Sequence, residues 1–266
     1  MESKGLRAAL RVWVALVLAF LFLPIVLIVL YAFNPSNIES WPISGFTLHW
    51  FTLAWNDPQV RAAFWLSVRV GLFATVLALL LGSAVASALH QFRFFGREAI
   101  SLLLVLPLAL PGIITGIALN SFFSFTGVQF GTLTIVVGHT TFCIVVVYNN
   151  LIARLRRTPG SLAEASMDLG ARGWQTARLV MLPLTATALV SGALLAFALS
   201  FDEVIVTVFT AGAQNTLPLW IFGAIRLGQQ LPEVNAVVTI VILLTIIPVV
   251  VAARVAGAGA VTRSAL

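Results

Sequence analysis

A polar segment in the middle of a very apolar chain carries the residues whose types and spacing are most informative. In chain order they are Glu164, Ala165, Ser166, Gly170, Val180, Leu182 and Pro183. They provide one carboxylate, one residue suited to a sharp turn and several aliphatic contacts. This set can make a charged docking contact, but it holds no nucleophile paired with a base.

The segment has the signals of a helix, a turn and a second helix. Ser161 and Glu164 have the spacing of a capping box, in which the serine hydroxyl accepts from a backbone N–H and the glutamate reaches back. Gly170 is suited to end that helix in a left-handed conformation. We therefore expect a short helix from Ser161, a turn at Gly170 and one or two helical turns over 174–181 before Pro183.

The elements around this segment are apolar enough to cross a membrane. The chain has 266 residues, of which 60% are hydrophobic and only 9% charged, and its mean hydropathy is +1.06. About 20 apolar residues cross a bilayer as a helix, and none of the runs shows the alternation of a membrane strand. We predict an all-α membrane protein with six transmembrane helices, at about 12–33, 66–89, 99–125, 132–152, 184–210 and 234–253.

The basic residues predict the orientation. With both termini cytoplasmic, twelve of the fifteen Lys and Arg residues fall on the inner side, and Arg61, Arg69 and Arg226 fall outside. Cytoplasmic loops carry the Lys and Arg excess, so this orientation is favoured. The same bias explains the net charge of +6 without nucleic acid as a partner.

Few polar residues lie within the predicted spans. Asp202 and Glu203 are the main candidates to line the path of a cationic substrate, because ionisable groups in a membrane are often functional. Pairing with Arg69, or a position at the interface, is the alternative. Asn120, His139, Asn149 and Asn150 can make interhelical hydrogen bonds, and a lone His139 is more often such a partner than a ligand. Cys143 is the only cysteine, so neither an intrachain disulfide nor a thiolate metal cluster is expected.

An energy source is missing from the chain. A phosphate-binding P-loop needs a lysine in Gly-x-x-x-x-Gly-Lys-[Ser/Thr], and the only lysine is Lys4. An ATP-driven transporter would have to use the ATPase, ATP and magnesium of a partner. No cofactor or metal is expected on this chain.

The spacing of the polar segment resembles the "EAA" loop of permease subunits of bacterial binding-protein-dependent ABC importers. Ser166 and Val180 replace the usual Ala and Ile. The wider sequence is similar to the spermidine/putrescine-type branch over nearly the whole chain. The matching stretches are Phe46-Thr47-Leu48-His49-Trp50-Phe51, Ser200-Phe201-Asp202-Glu203, Thr216-Leu217-Pro218 and Leu231-Pro232-Glu233-Val234-Asn235-Ala236.

The resemblance implies a type I ABC importer permease, one transmembrane domain over 1–266, whose cytoplasmic loop 153–183 couples to an ATPase. Glu164 would supply the docking charge, Gly170 the turn, and Leu182 with Pro183 the attachment to the fifth span. The implied coupling set also contains Ala165, Ser166, Asp168 and Val180.

The resemblance also implies the partners: an ATPase dimer, a second related permease, an extracytoplasmic solute-binding protein and the lipid of a prokaryotic inner membrane. Polyamines are the first expectation for the substrate. Glu39, Asp57 and Glu233 add acidic groups on or near the outer side to Asp202 and Glu203.

Two other classes of function remain open at this point. A self-sufficient secondary transporter or channel would need an internal repeat or paired intramembrane charges, and no clear repeat is seen. An intramembrane enzyme would need a catalytic constellation at one depth, but only His139 lies at depth and no His-Glu-x-x-His or Gly-x-Ser-x-Gly pattern occurs.

Overall fold

All regular structure in the described part of the chain is helical. A computed structural model describes residues 4–92, 94–228 and 231–246. The helices are α1 (Lys4–Ala32), α2 (His49–Asn56), α3 (Pro58–Gln91), α4 (Arg97–Ala109), α5 (Gly112–Thr126), α6 (Thr132–Arg156), α7 (Ser161–Asp168), α8 (Gly173–Thr176), α9 (Leu182–Asp202), α10 (Ile205–Thr210), α11 (Leu217–Leu227) and α12 (Leu231–Ile246), with a π-helical turn at Ala177–Met181 between α8 and α9.

Among the described residues, four continuous helical stretches are long and apolar enough to cross a membrane. They are Gly5–Ala32, Pro58–Gln91, Thr132–Arg156 and Gly173–Asp202. The first, second and fourth predicted spans correspond to α1, α3 and α6. Of the sixth predicted span, 234–246 is helical and apolar, and 247–253 lies outside the described residues.

The third predicted span, 99–125, consists of two helices, α4 and α5, over 97–126, and the fifth predicted span, 184–210, is also interrupted. Between α4 and α5 the axis bends by 103°. Pro111 favours this break, because a proline disfavours helical angles at the residue before it, and Leu110 is extended at φ −78°, ψ 143°. The fifth span begins earlier than predicted, at Gly173, and is broken after Asp202.

The chain divides into two compact units. The central unit comprises residues 62–222, and the terminal unit comprises 1–61 and 223–266. In the central unit α6 is the core helix, with buried residues along its whole length. α3 packs on it through small residues at every fourth position, which let membrane helices approach closely. These residues are Ala78, Gly82 and Ala86.

The terminal unit has its own hydrogen-bonded centre. The indole N–H of Trp50 donates to the carbonyl oxygen of Asn34 over 2.7 Å, and the Asn34 side chain accepts from Ser44. Asn235 on α12 donates to Glu39 over 2.7 Å. The loop after α1 is therefore tied to α2 and to the start of α12.

Large apolar side chains cover the outside of the helices. On α1 the residues from 9 to 27 are exposed, and the face of α3 opposite its small residues exposes Leu72, Phe73, Val76 and Leu80. Contiguous apolar surface of this extent is not stable in water. It is the surface of a multi-pass membrane protein.

Candidate functional site

The polar segment 153–183 forms the predicted helix, but not through the predicted capping box. α7 begins at Ser161 itself, its N-cap is Gly160, and no side chain caps it. Gly160 already has helical angles (φ −62°, ψ −29°), and its carbonyl accepts from Ala163 and Glu164. The helical backbone therefore starts one residue too early for Ser161 to act as the cap.

The turn after α7 confirms the prediction for Gly170. Its φ is +88°, a conformation that costs glycine little. The N–H of Gly170 bonds to Met167 over 2.9 Å, and the N–H of Ala171 bonds to Ser166 over 3.1 Å. These two bonds form a Schellman motif, so Gly170 reverses the chain at the end of α7.

A second helical stretch runs without interruption into the fifth apolar helix. α8, the π turn and α9 are continuous from Gly173 to Asp202. In the π turn the Leu182 N–H bonds to Ala177, five residues back. Pro183 follows in the first turn of α9 and has no N–H to donate. The helix therefore continues through the π turn and past Pro183 without a break.

Two side-chain hydrogen bonds stabilise the segment: one joins α7 to α8, and the other joins the end of α6 to α9. Ser166 on α7 bonds to the buried Thr176 of α8 over 3.1 Å. Arg154 at the end of α6 donates to the carbonyl of Leu184 over 2.9 Å. Reasoning from the sequence identified neither Arg154 nor Thr176, because both bonds join residues ten or more positions apart.

The predicted coupling residues present an open surface. Glu164, Ala165 and Asp168 are exposed, whereas Ser166 and Val180 are half-buried. Beside them the large side chains of Leu169 and Trp174 are 90% and 73% exposed. A helix with a carboxylate in its first turn and uncovered apolar neighbours has the composition of a docking surface.

Leu182 and Pro183 do not attach the segment by burial, because both are exposed. Leu182 instead lines a cavity of about 820 Å³. The cavity lies between the segment and the ends of α3 and α6, and Ser87, His90, Leu155 and Glu164 contribute to its wall. The attachment comes from Arg154 and from the continuous helix.

The second candidate site is the break between α9 and α10. Asp202 is the last residue of α9, Glu203 is its extended C-cap, and α10 begins at Ile205. Asp202 is exposed and Glu203 half-buried. In the described part of the chain neither carboxylate forms an ion pair with Arg69, the alternative that the sequence left open.

The charges at this break have the opposite sign to the usual pattern. A helix carboxyl end carries partial negative charge and favours Lys, Arg or His in its last turn. α9 has no basic residue there, and Asp202 and Glu203 add two carboxylates instead. The Glu203 carboxylate is engaged by the next helix, where it accepts from the Val206 N–H over 2.9 Å.

Side chains from α5 and α6 hold α10 at both ends. Asn120 donates to the Phe209 carbonyl and Thr134 to the Thr210 carbonyl, both over 2.7 Å. His139 lies against both sides of the break, with its ring nitrogens near the Ser200 and Thr207 hydroxyls. The interhelical hydrogen bonds expected for Asn120 and His139 are confirmed.

The same expectation for Asn150 was wrong, because its amide donates to Val146 within α6. Sequence reasoning also did not single out Ser200, Thr207 or Thr134, since a hydroxyl near a helix break looks like any other in the sequence. Within the described residues, no three His, Cys, Asp or Glu side chains lie close enough together to bind a metal ion.

Comparison with known proteins agrees with this arrangement. Residues 74–258 match the family described as binding-protein-dependent transport system inner membrane component. The chain is 36% identical over 236 residues to the spermidine/putrescine transport system permease protein PotC of Haemophilus influenzae, covering 88% of this chain and 91% of that one. It is 34% identical to the putrescine transport system permease protein PotI of Escherichia coli, covering 84% and 82%.

A solved structure supports the fold. One chain of a bacterial ABC transporter involved in the import of the acidic polysaccharide alginate superposes with a TM-score of 0.67 at 17% identity, covering 96% of this chain and 97% of that chain. The family match, the relatives and the fold agree on a permease, which is a non-catalytic subunit. This chain therefore belongs to the family of binding-protein-dependent transport system inner membrane components and is a permease subunit of the spermidine/putrescine-type branch of ABC importers.

Proposed function

We propose that the chain forms half of the translocation path for a polyamine such as putrescine or spermidine, or for a related amine, and couples it to a cytoplasmic ATPase through the segment 153–183. A second, related permease forms the other half, and a solute-binding protein delivers the substrate. ATP and magnesium are bound by the ATPase, not by this chain. The chain crosses the inner membrane of a prokaryote six times, with both termini in the cytoplasm.

The exposed face of α7 supports the coupling role. Glu164 and Asp168 lie on a short helix whose apolar neighbours, Leu169 and Trp174, are uncovered. The Schellman turn at Gly170 and the bond between Ser166 and Thr176 fix this helix against the next one. A rigid element of this kind can transmit movement of an ATPase to α9 without unfolding.

The single observation that best supports an amine substrate is the carboxyl end of α9. Asp202 and Glu203 reinforce the negative end of the helix, and no basic residue in its last turn neutralises them. Helix ends in broken membrane helices bind cations in other transporters. A protonated amine is a cation of suitable charge, and the relatives compared above are named for spermidine and putrescine transport.

Co-purification tests the assembly. The tagged chain is extracted from its host membranes in mild detergent, and its partners are identified by mass spectrometry. We expect an ATPase and a related permease, both depleted when Glu164 and Gly170 are altered together. A chain that is recovered alone and still moves solute after reconstitution would show instead that it is a self-sufficient transporter.

Uptake of radiolabelled putrescine tests the substrate. Cells with and without the chain are compared under limiting supply, and Asp202→Asn with Glu203→Gln is the site variant. We expect uptake to depend on the chain and to fall in the variant. Equal uptake in the two strains would exclude putrescine as the substrate.

A further inference from the structure

We infer that His139 is the positioning residue of the helix break, holding the end of α9 and the start of α10 so that Asp202 and Glu203 keep their place. The functional importance that this inference gives to the two carboxylates rests on the proposed transport path. The geometry of the break itself does not depend on that proposal.

His139 contacts both sides of the break at once. Its Nδ1 lies 2.8 Å from the Ser200 hydroxyl in the last turn of α9, and its Nε2 lies 2.9 Å from the Thr207 hydroxyl in α10. The side chain is fully buried on the core helix α6. One rigid ring therefore spans the interruption.

The hydrogen bonds around the ring determine its tautomer. The Thr207 hydroxyl is 2.6 Å from the Glu203 carbonyl oxygen, which can only accept, so Thr207 donates its proton there. Thr207 must then accept from a protonated Nε2 of His139. In the neutral ring Nδ1 has a free lone pair and accepts from the Ser200 hydroxyl.

The chain of donors ends at Glu203, the residue that follows α9. It runs from Ser200 through His139 and Thr207 to the carbonyl of Glu203. The Glu203 carboxylate in turn accepts from the Val206 N–H over 2.9 Å. Both the backbone and the side chain of Glu203 are thus oriented by groups connected to His139.

The surrounding packing leaves α10 little freedom to compensate. A Cβ at Gly138, next to His139, would lie 3.1 Å from Val206, and one at Gly116 would overlap the ring of Phe209. The short helix is in close contact with α5 and α6, and Asn120 and Thr134 bond its carboxyl end. These two bonds do not hold the amino end of α10, which lies beside Glu203. Loss of His139 would therefore affect that end of the helix.

Nitrogen NMR tests the geometry without any transport. The chain has three histidines, and selective ¹⁵N-histidine labelling of the full-length protein, with His139→Gln for assignment, isolates the signals of His139. We expect a protonated Nε2 and an unprotonated Nδ1, with the Nε2 signal shifted in Thr207→Val and the Nδ1 signal shifted in Ser200→Ala. A protonated Nδ1, or His139 nitrogen signals that are unchanged in both variants, would overturn the inference.

Transport by the reconstituted complex of permeases, ATPase and binding protein tests the consequence. His139→Leu fills a similar volume without hydrogen bonds, and His139→Gln restores an amide donor and acceptor. We expect putrescine uptake to fall on the order of tenfold in His139→Leu, to recover in part in His139→Gln, and basal ATP hydrolysis to stay within about twofold of the parent. Thr140→Val is the matched control, because Thr140 is a buried neighbour that bonds only its own helix.

The two carboxylates supply the decisive comparison. In a background of Asp202→Asn and Glu203→Gln, His139→Leu should cause no further loss of uptake if His139 acts through them. An equal loss in both backgrounds would overturn the positioning role. If His139→Leu does not accumulate in the membrane, Ser200→Ala and Thr207→Val each remove one bond and are judged by the same criteria.

The two proposals fail in distinguishable ways. If the parent complex moves no putrescine, the proposed substrate is wrong, and the NMR experiment still decides the geometry at the break. If the parent transports putrescine but His139→Leu transports it equally well, the proposed function stands and the inference about His139 is wrong.

Discussion

Individual side chains in the segment 153–183 have separable roles. Glu164 is exposed and carries charge, Ser166 forms a hydrogen bond to Thr176, and Gly170 supplies a backbone conformation. A substitution at each position should therefore affect one property and leave the others intact.

Changing Glu164 to Lys tests the docking charge. We expect the variant to reach the membrane in normal amounts and to lose substrate uptake, because the reversed charge opposes contact with the ATPase. The measurements are vesicle uptake and ATP hydrolysis at equal expression, and both should change, because the proposed contact links the ATPase to α9.

Glu98→Lys is the matched control for this charge reversal. Glu98 is also an exposed glutamate in the first turn of a helix, α4, so both substitutions remove a similar favourable interaction of about 0.3–1 kcal/mol with the helix dipole. Unchanged uptake in Glu164→Lys, or an equal loss in Glu98→Lys, would contradict a specific role for Glu164.

Changing Gly170 to Ala tests the turn. The φ of +88° disfavours a Cβ by about 1–2 kcal/mol, although no atom lies within 4 Å of where that Cβ would be. We expect faster amide exchange over 161–176 and weaker ATPase recovery. Gly173→Ala is the control, because its Cβ also meets nothing and its φ is not positive; equal exchange in the two variants would argue against the turn.

The helices depend on close approach as much as on apolar surface. Lipid is as apolar as a leucine side chain, so membrane helices associate through packing and hydrogen bonds rather than by escape from water. α3 meets α6 along its small residues, and α10 is held by hydrogen bonds from its neighbours.

Changing Gly82 to Ala tests this packing. The added Cβ would lie 2.9 Å from the backbone carbonyl of Ile144 on α6, and the backbone cannot rotate away as a side chain could. We expect a loss of about 1–3 kcal/mol of stability, seen as a lower melting temperature in detergent. Gly223→Ala on α11 has open space around its Cβ and should melt like the parent; equal melting of all three proteins would show that α3 and α6 are not packed this closely.

The proposed orientation of the whole molecule rests on its charge distribution. A membrane-impermeant thiol reagent should label Ser161→Cys only from the cytoplasmic side and Asn37→Cys only from the outside. The reason is that loops rich in Lys and Arg stay on the cytoplasmic side of the membrane. Both positions are exposed, and the native Cys143 is buried, so background labelling should be low. Labelling of both positions from one side would refute the six-span topology.

The order of elements along the chain could be read from the sequence, because each depends on local composition. Apolar length indicated membrane helices, and Gly170 indicated the turn after α7 because a left-handed residue is a local requirement. The spacing from Glu164 to Pro183 identified the family, which the comparisons confirmed. The capping box failed although it was also local, because the angles of Gly160 start the helix before Ser161.

Distant contacts could not be read in this way. At the break after Asp202, His139 bonds to Thr207 and Thr207 bonds to the carbonyl of Glu203. In the segment 153–183, Arg154 bonds to the carbonyl of Leu184, thirty residues away. A hydrogen bond between remote residues leaves no periodic signal along the chain. The sequence therefore identified a membrane permease and predicted its docking segment, and Pro111 is a local signal for the bend between α4 and α5. The interruption of the fifth span and the buried imidazole beside it emerged only when the helices were packed together, because packing determines which polar groups find partners inside an apolar bundle.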